Sequence, residues 1–239
     1  MSGAPSDLDR VMVVIRRSVL SEDEVVSKLR SDRSAAELFT TNSSGRERDY
    51  FIQRLDWPLA REPWLHEGVL VEQTMDLSHG GNLLRVLLFA QDGSEYVLGA
   101  VESGETDLLR LAARLFLPEG QAPSPRALAE VIAYLEPSSL TPGYLVEGSF
   151  HEASLLERYP EAREIEAWLH DVRLEDSGDQ ARLEFFSYTP SLGGPSLEII
   201  VRKWFVQADA DGTGTITHQD FAILTIAGPF SEGSVRLLS

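Results

Sequence analysis

Residues 197–226 read LEIIVRKWFVQADADGTGTITHQDFAILTI, and this stretch decides how the carboxyl-terminal part of the chain folds. Two segments rich in β-branched and aromatic residues flank the acidic run DADGTG at 209–214. Such residues favour strands, and a short run containing Asp and Gly between two of these segments is typical of a hairpin turn. We therefore predict two strands, at 197–207 and 215–226, joined by an acidic turn.

The acidic run allows a second interpretation, because oxygen-bearing residues recur through 209–221, DADGTGTITHQDF. This spacing resembles the calcium loop of the EF-hand family, whose positions one, three, five, six and twelve are matched here by Asp209, Asp211, Thr213, Gly214 and Asp220. The resemblance implies calcium held by the acids, by Thr213 and by the carbonyl of Thr215, since calcium takes about six to eight oxygens. It also implies helices on both flanks, where apolar residues from 197 to 208 recur at helical spacing.

Similar strand and turn segments recur in the rest of the chain. A strand is predicted at 181–188, before a double glycine at 193–194. In the amino-terminal half, strands are predicted at 68–77, 83–90 and 96–101, separated by HGGN at 79–82 and QDGS at 91–94. Each half therefore reads as an antiparallel meander with a double-glycine turn and an Asp-Gly turn. An ancient duplication would explain this similarity between the halves, and so would the general preference of turns for Gly and Asp.

Helical segments surround these strands. Apolar residues at helical spacing predict helices at 8–19, 21–29, 105–116 and 125–135, and one or two more within 149–172. The proline-rich run at 118–125 reads as a linker, while 40–67 reads as irregular. The predicted fold is α+β, with helices packed on antiparallel β-meanders in two similar halves. We place the halves at 1–117 and 126–239.

The composition narrows the classes of function. The chain has 239 residues, 38 acidic against 21 basic side chains and a net charge of −17. Nucleic acid is a poor partner for such a surface, because binding it depends on Lys and Arg neutralising phosphates. The absence of cysteine excludes disulfides and Cys-ligated metals. Apolar runs are too short to predict a membrane span or a signal peptide, so a cytoplasmic location is expected.

The least acidic long stretch, 45–68, is the predicted partner-binding segment. It combines aromatic and arginine residues, which are the types most enriched in binding hot spots. The candidate residues are Tyr50, Arg54, Trp57, Arg61 and Trp64. The alternative is that these aromatics cap the first sheet as a small core.

Catalytic motifs are missing from the sequence. The five histidines do not pair at metal-binding spacing, and there is no nucleophile elbow, phosphate loop or dinucleotide fingerprint. We therefore predict a non-catalytic, acidic binding or accessory protein that acts through protein–protein interaction and needs no cofactor. One alternative is a calcium-binding protein that uses 209–220, and a second is a small-molecule enzyme with a carboxylate or histidine site. The sequence leaves the oligomeric state open.

Overall fold

A computed structural model describes the chain at residues 50–54, 62–74, 82–99, 102–135, 143–149, 152–191, 197–227 and 233–238. The predicted helices at 8–19 and 21–29 lie outside these residues. The described part contains helices and two antiparallel sheets, which confirms the predicted mixture of helices and antiparallel strands.

The first sheet has four strands in sequential order: β1 (Tyr50–Arg54), β2 (Leu65–Thr74), β3 (Asn82–Ala90) and β4 (Glu95–Gly99). All neighbours in it are antiparallel. The prediction that 40–67 is irregular was wrong at 50–54 and 65–67. These residues form strands because β1 pairs along the edge of β2, so the sheet supplies backbone partners that the local sequence does not reveal.

The second sheet contains the hairpin predicted for 197–226. Its strands are β5 (Tyr144–Leu145), β6 (Arg173–Asp176), β7 (Gln180–Ser191), β8 (Glu198–Asp209), β9 (Gly214–Thr225) and β10 (Ser234–Leu237). The order is β10-β9-β8-β7-β5, and β6 also pairs with β7. The hairpin prediction for 197–226 is confirmed. The helical flanks implied by the EF-hand resemblance were wrong, because both flanks are twelve-residue strands paired along their length.

In the described part of the chain, three α-helices connect and cover the sheets. Helix α1 (Glu102–Ala112) continues into a 3₁₀ turn at Ala113–Phe116, and α2 (Pro125–Tyr134) follows. Ser124 caps α2 by accepting a hydrogen bond from the Ala127 N–H at 3.2 Å. A short α3 (Leu155–Arg158) leads into a 3₁₀ helix at Pro160–Trp168. None of the described helices is long and apolar enough to span a membrane.

The first core joins both sheets through the helices. It contains Val86 and Leu98 from the first sheet, Leu128 from α2, and Phe185 and Trp204 from the second sheet, all at most 1% exposed. Residues before and after the 118–125 segment therefore pack in one cluster. The division of the chain at that segment stays a prediction.

The long strands of the second sheet carry a different core on each face. Because side chains alternate along a strand, Phe185 and Val206 face the first core, whereas Phe186 and Val201 face away from it. We call this second side the outer face. A second core covers part of it, where Tyr159 and Ile165 from the α3 region pack over the strands. We call the part under this core the covered half, and the rest of the outer face the open half.

Candidate functional site

The open half of the outer face forms a groove across four strands, which we call the open groove. Strand register places its side chains in two rows, and the first contains Arg173, Glu184, Phe205 and Thr217. The second row contains Glu175, Arg182, Gln207 and Thr215. These residues line a space of about 570 Å³. With strands about 4.8 Å apart, the rows extend about 14 Å from β6 to β9.

The groove exists because the strands extend beyond the helices that cover them. Strands β7, β8 and β9 have twelve residues each, whereas the second core reaches only as far as Phe186 and Phe221 on the outer face. The remaining residues extend to the hairpin turns at Gly178 and Gly212, which have φ values of 88° and 85°. Glycine allows these tight turns at low cost. The open groove therefore lies at the turn end of the sheet.

One carboxylate at the edge of the groove, that of Glu184, is already bonded to other side chains of the protein. Glu184 Oε1 accepts from Lys203 Nζ at 2.9 Å and lies 2.6 Å from His170 Nε2. Burial raises the pKa of Glu184, but the hydrogen bonds from Lys203 and His170 outweigh it and lower the pKa below its usual range. His170 Nδ1 lies 2.7 Å from the carbonyl oxygen of Asp171, which only accepts. Because a carbonyl oxygen only accepts, Nδ1 is the donor in this contact.

The two arginines of the groove make few bonds to other side chains. Within the described part of the chain, Arg173 makes no hydrogen bond or ion pair, and Arg182 makes one bond, from Nε to Gln180 Oε1 at 3.2 Å. Arg173 lies across from Glu184, whose carboxylate is held by Lys203 and His170. Both arginines are exposed. Their guanidinium groups are therefore free to bind a ligand.

A phenylalanine forms the apolar floor between these polar groups. The side chain of Phe205 is 38% exposed, which is unusual for an aromatic residue in the middle of a long strand. The Lys203 ammonium lies 5.0 Å from the centre of its ring, which is cation–π distance. The rest of the ring faces the groove and offers a surface on which an apolar group can stack.

The predicted calcium ligands are only partly brought together. Thr213 Oγ1 donates to Asp211 Oδ1 at 2.6 Å and lies 3.2 Å from Asp209 Oδ2, so these three residues meet in the turn. The hydrogen bonds from Thr213 lower the pKa of Asp211. Asp220 lies on β9 about 20 Å farther along the strand and pairs with Arg202 at 2.6 Å. Thr215 lies in the open groove.

This separation removes the carboxylate that an EF-hand uses as its twelfth ligand. In an EF-hand the chain after the loop turns back as a helix, whereas here it continues as a strand and carries Asp220 away from the turn. Among the residues that the structure describes, no group of three or more His, Asp or Glu side chains is placed to hold a metal ion.

Of the predicted partner-binding residues, the structure describes Tyr50, Arg54 and Trp64. Trp64 is 2% exposed and belongs to the first core, where it packs edge-on against Tyr96 at 6.4 Å between ring centres. The Arg114 guanidinium lies 4.8 Å from the centre of the Trp64 indole. For Trp64 the structure therefore matches the core alternative, not an exposed docking surface. Tyr50 and Arg54 begin and end β1, and Trp57 and Arg61 lie outside the described residues.

The groove residues were missed by the sequence analysis, although a signal for them exists. In the segment KWFVQ at 203–207, strand alternation places Trp204 and Val206 on one face and Phe205 on the other, between Lys203 and Gln207. A phenylalanine on the polar face of an amphipathic strand is the observable sign of such a site. The helical interpretation instead placed Trp204 and Phe205 on one stripe, which concealed it.

Comparison of the chain with protein-family models, curated proteins and solved structures finds no match. The chemistry available at the groove is therefore that of its own residues. Two free guanidinium groups, one exposed aromatic ring and several amide and hydroxyl groups can bind a ligand. Of the titratable residues, Glu184, Lys203 and His170 are bonded to one another, whereas Glu175 is exposed in the groove.

Proposed function

We propose that this protein is a non-catalytic binding protein that holds its ligand in the open groove. The observation that supports this most directly is the pair of exposed arginines beside the exposed ring of Phe205: within the described residues Arg173 makes no bond, and Arg182 makes only the one to Gln180. In a chain with a net charge of −17, two exposed cations beside an aromatic ring form a local feature that can attract an anion.

The size and composition of the groove support the proposal. Small-molecule sites have volumes of about 300–1,000 Å³, and the 570 Å³ here falls inside that range. Such sites combine apolar or aromatic surface with a few placed polar groups, which Phe205, Gln207 and Thr217 provide. The strands that carry these side chains are fixed by two packed cores, so the groove is largely formed before a ligand arrives.

The hydrogen bonds at the groove edge favour binding over catalysis. A general base needs a lone pair directed at the substrate. Both nitrogens of His170 lie within hydrogen-bond distance of protein oxygens, and Glu184 Oε1 is shared between His170 and Lys203. Glu175, which is exposed in the groove, is the carboxylate not tied in this way, so the enzyme alternative would have to use it as the base.

The proposal relocates the binding surface from 45–68 to the open groove. An accessory role in protein–protein interaction, a cytoplasmic location and weak calcium binding at the 209–214 turn stay proposals beside it. The reasons for the first two are the acidic, cysteine-free composition and the lack of catalytic motifs. For calcium, the reason is the meeting of Asp209, Asp211 and Thr213.

Two related halves, each with helices on a meander, are also proposed, and two hairpin turns support this. In the turn from Ala90 to Ser94, the Ala90 N–H donates to the Ser94 carbonyl oxygen at 2.8 Å, and the Ser94 N–H donates to the Asp92 carboxylate at 2.9 Å. In the turn from Asp209 to Thr213, the corresponding distances are both 2.9 Å. The glycine of each turn has φ of 85°. A common three-residue hairpin loop would show the same geometry without duplication.

A thermal-shift screen tests the binding proposal. A ligand that binds only the folded protein raises the melting temperature, so we expect some compounds in a chemically mixed set to stabilise the wild type. The same compounds should fail to stabilise Phe205→Glu, which places a charge in the groove. Leu237→Glu is the matched control, because Leu237 is 50% exposed on β10 and does not line the groove. Compounds that stabilise both variants equally would count against the groove.

A further inference from the structure

We infer that the ligand of the open groove is a small molecule with one carboxylate and an aromatic group. This inference rests on the proposed function, because it names the class of ligand for the same site. The carboxylate would lie between Arg173 and Arg182, and the aromatic group would lie on Phe205.

The register of the strands sets the two arginines at a suitable distance. Arg173 lies opposite Glu184, and Arg182 lies opposite Glu175, so the arginines are diagonal neighbours on adjacent strands. Diagonal neighbours are about 7–8 Å apart, and an arginine side chain is long enough for both guanidinium groups to reach one anion. A guanidinium presents paired N–H donors that match the two oxygens of a carboxylate.

The aromatic part of the ligand follows from the position of Phe205. Phe205 lies opposite Glu184 on the neighbouring strand, so it is the diagonal neighbour of Arg182. An anion bound at Arg182 therefore holds its own apolar group within reach of the Phe205 ring. Ring centres about 4.5–7 Å apart interact favourably in offset or edge-to-face arrangements. Gln207 and Thr217 flank the ring and can bond to further polar atoms.

Charge limits the ligand to a single carboxylate. The groove itself contains Glu175 and Glu184, and the whole chain has 17 more acidic than basic residues. A polyanion, such as an acidic peptide or a nucleic acid, would place additional negative charges near these groups, whereas a monoanion satisfies the arginines and adds little repulsion. The favoured occupant is therefore a free aromatic acid and not an acidic protein segment.

Isothermal titration with 3-phenylpropionate tests the inference against two close analogues. 3-Phenylpropionamide keeps the ring and removes the charge, and propionate keeps the charge and removes the ring. We expect 3-phenylpropionate to bind about tenfold more tightly than either analogue, because a bidentate charged contact and a buried ring are each worth about a factor of ten. Arg182→Met should remove the preference over the amide, and Phe205→Ala should remove the preference over propionate.

Arg236→Met is the control, because Arg236 is exposed on β10 and does not line the groove. It should leave both preferences intact. The inference is overturned if the amide binds as tightly as the acid, if Arg182→Met binds 3-phenylpropionate like the wild type, or if none of the three compounds binds at about 10 mM. Tighter binding of the acidic peptide acetyl-Glu-Phe-Glu-amide than of 3-phenylpropionate would overturn the single-carboxylate claim.

The two proposals fail in different ways. If the thermal-shift screen finds neutral or cationic compounds whose effect is lost in Phe205→Glu, the groove is a binding site and the aromatic-acid inference is wrong. If no compound of any charge depends on Phe205 in either assay, both the inference and the proposed function are wrong. All the substituted residues are exposed, so circular dichroism should show that each variant keeps the wild-type fold.

Discussion

The covered half and the open half of the outer face lie on the same three strands but contain different residues. In the covered half, Phe186, Tyr188 and Val201 are at most 2% exposed, and they pack against the α3 region. In the open half, Arg182, Phe205 and Thr217 face the groove. Strand geometry is the same in both halves, so the difference comes from the elements that cover each part. The sheet is a common support, and the site lies where none of the described helices covers it.

Two phenylalanines permit a direct test of this difference. Phe186 in the covered half is 2% exposed, and Phe205 in the open half is 38% exposed. We expect Phe186→Ala to lower the free energy of unfolding by about 3–5 kcal/mol, because it leaves a cavity in the second core. Phe205→Ala should lower it by less than about 1 kcal/mol. Urea denaturation measures both values, and similar losses would show that the two halves are packed alike.

The turn between β8 and β9 offers a way to disturb the open half alone. Gly214 has φ of 147°, and an added methyl group would overlap the carbonyl oxygen of Gln207. We expect Gly214→Ala to cost about 2 kcal/mol, because the added methyl group strains the backbone where β8 and β9 meet at the turn. Amide hydrogen exchange should accelerate at 205–217 and stay slow at 199–201.

Gly178→Ala is the matched control for this turn variant. Gly178 also has positive φ, but a methyl group there would meet open space, so its cost should be about half as large. If Gly214→Ala accelerates exchange equally along the whole of β8 and β9, then the turn end does not open independently of the covered half.

The stability of the two halves should depend on pH in opposite directions. Glu184 has a lowered pKa, so its contribution is present above its ordinary value of 4.5 and is lost as the pH falls through the lowered pKa. Burial raises the pKa of Tyr188, so its contribution is present below the ordinary value of 10.0 and is lost as the pH rises above it.

Thermal unfolding at a series of pH values checks this pair of expectations. Glu184→Gln should flatten the acid side of the profile, and Tyr188→Phe should flatten the alkaline side. Each variant is the control for the other. If either variant changes both sides of the profile equally, the pH dependence does not arise from these two residues.

The smallest effect is expected from calcium at the acidic turn that closes the open half. Asp220 is paired with Arg202 far from Asp209 and Asp211, so the turn retains too few oxygens for tight binding. We expect about 1 mM calcium to leave the melting temperature of the wild type and of Asp209→Ala unchanged. A calcium-dependent increase that disappears in Asp209→Ala would show that the turn binds calcium more tightly than expected.

The hairpin could be predicted from sequence because its information is local. The β-branched residues of 197–226 and the Asp-Gly turn favour strands whatever surrounds them. The groove could not be predicted in the same way. Phe186 and Phe205 are the same residue type on the same face, and the packing of residues 155–170 over part of that face decides that one is buried and the other exposed. Strand β1 was missed for a related reason, since β2 provides its pairing.

The most direct test of the account is to map where 3-phenylpropionate binds, by following backbone amide signals in a nuclear magnetic resonance titration. We predict saturable shifts in the strands of the two groove rows, at 173–175, 182–184, 205–207 and 215–217. Amides of the covered half, at 199–201 and 222–224, should not shift. Shifts confined to the covered half or to the first sheet, or no saturable shift at all, would contradict the claim that the open half is the binding surface.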